Sequence, residues 1–427
     1  MDIRDLYQKY LESGKVSTDT RQITPGSVFF ALKGPSFNAN AFAQEALSRG
    51  ASYCVVDEAA FAKDPRFVLV PDSLVALQDL ARHHRSQLNI PVIGLTGSNG
   101  KTTSKELVST VLSRKFKTYS TRGNLNNHIG VPLTVLSIDH SYEIAVVEMG
   151  ANHVGEIAML SDIARPTHGF ITNIGKAHIG TFGGFENIIR GKTELYQHLI
   201  DHQGTVFINS TNPILSAMIK RFKEPVLYPA SGDFLHCTIT RTEPWLEVMT
   251  EQGAVIRTQL VGAYNFENIA VALCIGKFFG VNPVEAAKAI EAYAPGNMRS
   301  QVIQKGTNTI ILDAYNANPT SMEAAIDSLS RMKAERKIAI LGDMFELEEE
   351  AVTEHRHIGA VLRDRKIDEA YLCGELMQNA KTTFPQGKFF RTRDELVEAL
   401  KAAPVSGATI LIKGSRGMAM EKVADLL

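Results

Sequence analysis

Cysteine is scarce: four residues in 427, at positions 54, 237, 274 and 373, with no Cys-x-x-Cys pair among them. That excludes a compact disulfide framework and a cysteine zinc site, and leaves buried, reduced thiols as the reading. Neither sign of charge is in excess, with 45 Lys and Arg against 46 Asp and Glu, and no dense basic block occurs. A nucleic-acid footprint is therefore not expected. No apolar run approaches the length of a membrane span, and the start MDIRDLYQKYLESGK is too charged for a secretory core, so the expected setting is the cytoplasm. Repeats and low-complexity tracts are missing too. What is there is ordinary for a globular chain, 44% hydrophobic and 21% charged, so neither disorder nor a fibrous class is indicated. The length suits about three domains.

The pattern along the chain divides it accordingly. Residues 1–88 carry a Thr-Pro-Gly turn at 24–26, an apolar strand at 28–32, a Lys-Gly-Pro turn at 33–35 and a helix near 40–49, which reads as a small α/β domain. A helix over about 73–88 leads to Pro91. The second segment, 89–296, holds strands at 143–149 and 169–175, helices around 186–200 and 266–279, and a turn-rich stretch between, and it reads as a parallel-sheet domain of the phosphate-loop ATPase kind. From 297 to 427 strands and helices alternate: TIILDAY, a helix after Pro319, KIAILGD, a helix at 352–364, EAYLCG, a helix at 393–402, ATILIKG and a terminal helix. Such alternation implies a Rossmann-like sheet of parallel strands, with ligands at the strands' carboxyl ends. Asp313, Asn316, Asp343, Lys413 and Ser415 all fall there, where each serves equally as a ligand or as a cap and turn former.

The most informative stretch is VIGLTGSNGKTTSKEL at 92–107. Val92, Ile93 and Leu95 read as a buried strand, and Leu107, Val108, Val111 and Leu112 recur at helical spacing. The loop between them sits on a helix N-terminus, where free N–H groups and the helix dipole favour an anion and Gly97 and Gly100 let the backbone approach it. Lys101 reaches terminal phosphates, and the hydroxyl of Thr102 or Thr103 serves an accompanying Mg²⁺. The strict phosphate-loop spacing is not met, since Leu95 stands where its first glycine belongs and the glycine falls at 94. Glu148 ends the strand EIAVVE, where a carboxylate faces a phosphate on the neighbouring loop and suits Mg²⁺. His178, by chemistry alone, reads as a hydrogen-bonding or core histidine. Lys192 alone reads as an exposed helix lysine beside Gly191, a glycine suited to close packing.

Taken together, TGSNGKTT (96–103), RGNLNNHIGVPLT (122–134), VEMGANHVGEI (147–157), NIGKAHIGTFG (173–183), GKTELY (191–196), YNFENIAVA (264–272) and DAYNANPTSM (313–322) resemble the Mur ligase family over nearly the whole chain. DTRQITPGSVFFALKG (19–34) fits the same family in the first segment. DAYNANPTSM, LGDMFEL (341–347) and KGSRGMAMEKV (413–423) are similar to the branch that adds D-alanyl-D-alanine, and the DNPR motif of the diaminopimelate-adding relatives is absent.

The resemblance implies an ATP-dependent carboxylate–amine ligase that extends UDP-N-acetylmuramoyl-tripeptide by D-alanyl-D-alanine through an acyl phosphate. It implies ATP phosphates on Thr96, Gly97, Ser98, Asn99, Gly100, Lys101, Thr102 and Thr103, adenine at Asn268, ribose at Asp313, and Arg299 reaching the nucleotide across a domain joint. Two Mg²⁺ ions are implied on Thr102, Glu148, His178 and a carbamylated Lys192, with Lys101, Lys192, Glu148 and His178 as the catalytic set. Carbamylation makes chemical sense, because CO₂ adds to a neutral amine and turns a cation into an anionic oxygen ligand. Asp19, Thr20, Arg21, Lys33 and Gly34 resemble the site for the uridine diphosphate group. Asn124, Asn126 and Asn127 match the substrate-facing loop, and Asn316 and Asn318 are assigned to the incoming dipeptide. A monomer is expected. Three positions depart from the family pattern: Tyr264 where many members have His, Asn297-Met298-Arg299 in place of a Gly-Arg pair, and Glu348 where glycine often follows Glu-Leu. Two competing readings remain at this stage, a ligase for another substrate such as a folate polyglutamylating enzyme, and an ATP-hydrolysing switch that ligates nothing.

Overall fold

A computed structural model describes residues 2–427. Three α/β units follow one another, each on its own sheet. In the first, strands Val16–Ser17, Val28–Phe30, Tyr53–Val56 and Phe67–Leu69 lie side by side and parallel. The helix Ser73–Ser86 starts on Asp72, whose side chain accepts from the N–H groups of Leu74 and Val75. Its Leu77, Leu80 and Ala81 are fully buried in a core shared with both the first sheet and the helices of the second unit. The helix is thus common to both units.

The central sheet has six parallel strands, in the order Val226–Tyr228, Thr205–Asn209, His168–Ile171, Val92–Thr96, Ile144–Glu148, Thr118–Ser120. Val92–Thr96 is first in the chain but central in the sheet, so the connections after it run to one side and then the other. That reversal opens a crevice at its carboxyl end. Every residue of Val92–Thr96 and of Ile144–Glu148 is buried, as a parallel sheet covered on both faces requires. The turn-rich stretch is a separate three-stranded antiparallel sheet, Cys237–Arg241, Glu247–Thr250 and Val255–Arg257. These short, half-exposed strands carry little of the alternation by which strands are recognised.

In the third unit the order is Gln301–Lys305, Asn308–Asp313, Thr409–Lys413, Lys337–Gly342, Glu369–Cys373, Lys388–Phe390. The expected parallel alternation holds for all but Gln301–Lys305, an antiparallel edge strand joined by a tight turn at Gly306. The expected terminal helix is a 3₁₀ run, Met420–Leu426, that buries Met420 and Val423. Among the described residues no helix is long and apolar enough to cross a membrane.

Candidate active site

A cavity of about 850 Å³ opens between the second and third units. The phosphate loop forms one wall. Gly94, which stood in for the first loop glycine in the sequence, is instead a mid-strand residue, and a Cβ there would come within 2.8 Å of Pro166. The turn is made by Gly97, at φ +146°, where a Cβ would meet Thr172 Oγ1 at 1.9 Å. Gly100, at φ +77°, caps the helix Lys101–Leu112 and lets it begin directly under the loop. The loop is braced from the neighbouring strand's loop. Ser98 N–H donates to the Asn173 carbonyl at 2.9 Å, Asn99 N–H to Asn173 Oδ1 at 3.0 Å, and Thr172 Oγ1 to the Asn99 carbonyl at 2.6 Å. Asn173 was not among the sequence candidates, because only pairing with strand Val92–Thr96 brings it here.

Lys101 Nζ folds over the loop and donates to the carbonyls of Gly97 at 2.7 Å and Ser98 at 3.2 Å. Enclosure in this site lowers its pKa to about 8, with Glu148 opposing the shift. Glu148 is 2% exposed. Its Oε1 accepts from Asn126 Nδ2 at 2.8 Å and from Thr102 Oγ1 at 3.3 Å, while its buried Oε2 has no hydrogen-bond partner. Lys105 Nζ approaches Oε2 to 3.9 Å. This buried lysine also went unnoticed, although it lies one helical turn beyond Lys101 and shares its face.

A free carboxylate oxygen beside a threonine hydroxyl and a phosphate loop suits Mg²⁺, an oxygen-seeking ion that keeps waters and takes phosphate ligands. Among the described residues no three His, Cys, Asp or Glu side chains converge, so the protein offers no complete cage. His178, at φ +57°, lines the cavity and turns Nδ1 onto the carboxylate of Glu346 in the third unit. That contact holds the Glu346 carboxyl below its usual range.

Lys192 is not the exposed residue its type suggests. It is 1% exposed, donates to the Ala151 carbonyl at 3.0 Å and lies 5.2 Å from the centre of the Phe182 ring. Its helix, Phe185–Asp201, passes close because Gly191 leaves room for Phe182, whose Cε1 would sit 2.7 Å from a Cβ. Burial, aided by nearby Lys101, holds the Lys192 pKa well below a lysine's ordinary value, which favours the neutral, nucleophilic amine.

Across the cavity, Asn268 stands under the loop, with Oδ1 accepting from Ser104 Oγ at 2.8 Å and Nδ2 donating to Asn265 at 2.9 Å. Arg299 stacks on Tyr315 at 3.9 Å and keeps a buried Nε without a partner. Asp313 ends the strand beside Lys413; its Oδ2 accepts from Lys413 Nζ at 2.5 Å and its Oδ1 from the Ser300 N–H at 3.0 Å. Tyr264 shares a 2.7 Å hydrogen bond with Ser300 Oγ. Asn124, Asn126, Asn127 and Asn316 line the same cavity, as does Asn318. Asp343 does not: its carboxylate holds the N–H groups of Leu376 and Met377, the turn-forming alternative.

Asp19, Thr20, Arg21, Lys33 and Gly34 are outside the cavity wall, in the first unit. Asp19 caps the 3₁₀ turn Thr20–Gln22 and grips the exposed Arg21 guanidinium. Lys33 Nζ lies 3.0 Å from Asp57 Oδ1 in the antiparallel pair Lys33–Gly34 and Phe37–Asn38.

Residues 95–276 match the Mur ligase middle domain and residues 298–416 the glutamate ligase domain of Mur ligases. The chain is 34% identical over 425 residues to the UDP-N-acetylmuramoyl-tripeptide–D-alanyl-D-alanine ligase of Bacillus subtilis, covering 96% of this chain and 93% of that one. It is similar to a crystal structure of MurF from Acinetobacter baumannii, with TM-score 0.89 and 31% identity over 99% of this chain and 98% of that one. The MurF ligase of Thermotoga maritima in complex with ADP matches with TM-score 0.86 and 26% identity over 97% of each chain.

Proposed function

The chain belongs to the Mur ligase family, and we propose that it joins D-alanyl-D-alanine to UDP-N-acetylmuramoyl-tripeptide, converting ATP to ADP and phosphate and yielding the pentapeptide precursor of peptidoglycan. The observation that carries this reading is the convergence on one cavity of the phosphate loop, the Glu148 carboxylate and the third unit's Arg299, Asp313 and Lys413.

In the first step the tripeptide's terminal carboxylate oxygen attacks the γ-phosphorus as the bond to ADP breaks, giving an acyl phosphate. The barrier is lowered chiefly by alignment and by neutralising charge. Lys101, seated on the loop, supplies a cation against the phosphates, and the helix Lys101–Leu112 offers its N-terminus. In the second step the dipeptide's amine attacks the acyl carbon, sheds a proton and expels phosphate through a tetrahedral intermediate. Acyl phosphates hydrolyse, so the cavity between the two units serves to exclude water.

Thr102, Glu148, His178 and Lys192 as a carbamate are the residues that would hold two Mg²⁺ ions. When bound, these ions supply positive charge beside the phosphates. The buried, low-pKa Lys192 amine supports the carbamate. Asn268 and Asp313 are assigned to adenosine, Arg299 to the nucleotide, and Asn316 to the incoming dipeptide. Asp19, Thr20, Arg21, Lys33 and Gly34 are assigned to the uridine diphosphate end, with Asn124, Asn126 and Asn127 along the path to the phosphate loop. Residues 1–88, 89–296 and 297–427 are the corresponding domains. ATP as co-substrate and a nucleotide-linked acceptor suit an enzyme of the cytoplasm. Lys101→Ala and Glu148→Ala test the reading: each is expected to abolish turnover in a folded protein, and near-normal ligation by either would overturn it.

A further inference from the structure

The two ends of one amide group, that of Asn318, face different units of the protein. Oδ1 accepts from the Ser321 N–H at 3.0 Å and caps the helix Pro319–Arg331, while Ser321 Oγ accepts from the Asn318 N–H at 3.1 Å. Nδ2 donates to Oδ1 of Asn99 at 2.8 Å, across 219 residues of sequence and across the cavity. The cap decides which way round the amide sits, because only its oxygen can take the Ser321 N–H. The NH₂ group must then face Asn99, in the middle of the phosphate loop.

Asn99 is itself held tightly. Its N–H and its carbonyl are both bonded to the loop after strand His168–Ile171, so the point from which its side chain projects is set by the phosphate loop. Next to this contact the same two surfaces touch again: the Lys176 N–H donates to Thr320 Oγ1 at 3.1 Å, and Lys176 Nζ lies 2.6 Å from Glu354 Oε1. Asn318 therefore sits at the phosphate end of the interface between the units, with its acceptor used by the helix and a donor hydrogen given to the loop.

We propose that Asn318 is a positioning residue that ties closure of the third domain to the conformation of the phosphate loop, rather than a contact for the dipeptide. The loop shape that presents Asn99 Oδ1 is the one the third domain closes upon, so acyl transfer begins with the cavity shut. The proposal rests on the ligase reading above.

Asn318→Ser separates the two roles. Serine caps a helix as well as asparagine does, but its single short hydroxyl is used by the cap and leaves nothing to reach Asn99, whichever way the Asn99 amide is turned. The expected result is a thermal midpoint close to wild type, a kcat lowered about tenfold or more, and a KM for D-alanyl-D-alanine changed by less than about threefold. Combined with Asn99→Ala, it should be no slower than the slower single variant, as for two halves of one interaction. A readout independent of ligation is small-angle scattering of the full chain with ADP: wild type is expected to be more compact than Asn318→Ser. Unchanged kcat and unchanged scattering in a folded Asn318→Ser would overturn the proposal. So would a rise confined to the KM for the dipeptide, which is the signature of substrate contact. A wild-type protein that compacts with ADP in an Asn318-dependent way, yet makes no amide, would overturn the ligase reading and leave the coupling standing.

Discussion

Asp313 and Lys413 are register partners at the carboxyl ends of adjacent parallel strands, and Lys413 Nζ also donates to the Asn316 carbonyl at 3.1 Å. One lysine, 2% exposed at its side chain, thereby fixes both the carboxylate assigned to the ribose and the loop that follows it. Lys413→Met removes the cation and leaves the Asp313 carboxylate with the Ser300 N–H alone. Unfolding free energy should fall by about 2 kcal/mol, less than for a fully enclosed pair because Asp313 retains some solvent, and the KM for ATP should rise. Urea unfolding and ATP titration of kcat check both; an unchanged KM would remove Asp313 from the nucleotide site.

Lys192 is buried, and desolvation holds its pKa well below the ordinary lysine value, which favours the neutral amine that CO₂ requires. Adding ¹³C-bicarbonate to the protein should produce a carbonyl resonance in the ¹³C spectrum that is absent from Lys192→Arg. A spectrum identical in both proteins would contradict the carbamate.

Glu348, one of the departures from the family pattern expected from sequence, has φ +48°, a left-handed conformation that disfavours a side chain by about 1 kcal/mol. Its Cβ and Cγ pack on Gly180 of the central domain, where an added Cβ would meet Cγ at 2.8 Å. Glu348→Gly is expected to raise stability by roughly 0.5–1 kcal/mol through relief of strain while lowering kcat, because a contact between the domains is lost. Lower stability in urea would show that the packing outweighs the strain.

His168 lies among Phe207, Phe278 and Phe279, and burial lowers its pKa to about 4. In the unfolded chain it titrates near about 6.5. On acidification the unfolded state therefore takes up the proton first. The stabilising contribution is complete above about 6.5 and is lost as the pH falls from there through 4. Between pH 7 and pH 5, wild type should lose on the order of 1–2 kcal/mol more than His168→Phe. Equal losses in urea unfolding at the two pH values would place the histidine in a wetter setting.

The phosphate loop was legible from sequence because its parts are local: strand, glycine turn, lysine and helix follow within 16 residues of VIGLTGSNGKTTSKEL. The alternating third unit was legible for the same reason, apart from the short antiparallel strand at its edge. The burial of Lys192 was not, since lysine type argues for exposure and only the neighbouring glycine hinted at close packing; the resemblance of GKTELY alone marked the residue. The Asn99–Asn318 bond depends on how two separately folded units meet, and no local pattern encodes that. Glu348 shows the reverse relation, in which a departure seen in the sequence became intelligible only when its backbone conformation was known.

The most direct measurement is phosphate release by the purified chain with ATP and Mg²⁺, with both UDP-N-acetylmuramoyl-tripeptide and D-alanyl-D-alanine, with each omitted, and with glutamate in place of the dipeptide. Sustained release only with both substrates, and a product of pentapeptide mass, is the predicted result. Release that ignores the peptides, or that glutamate supports equally well, would contradict the assignment.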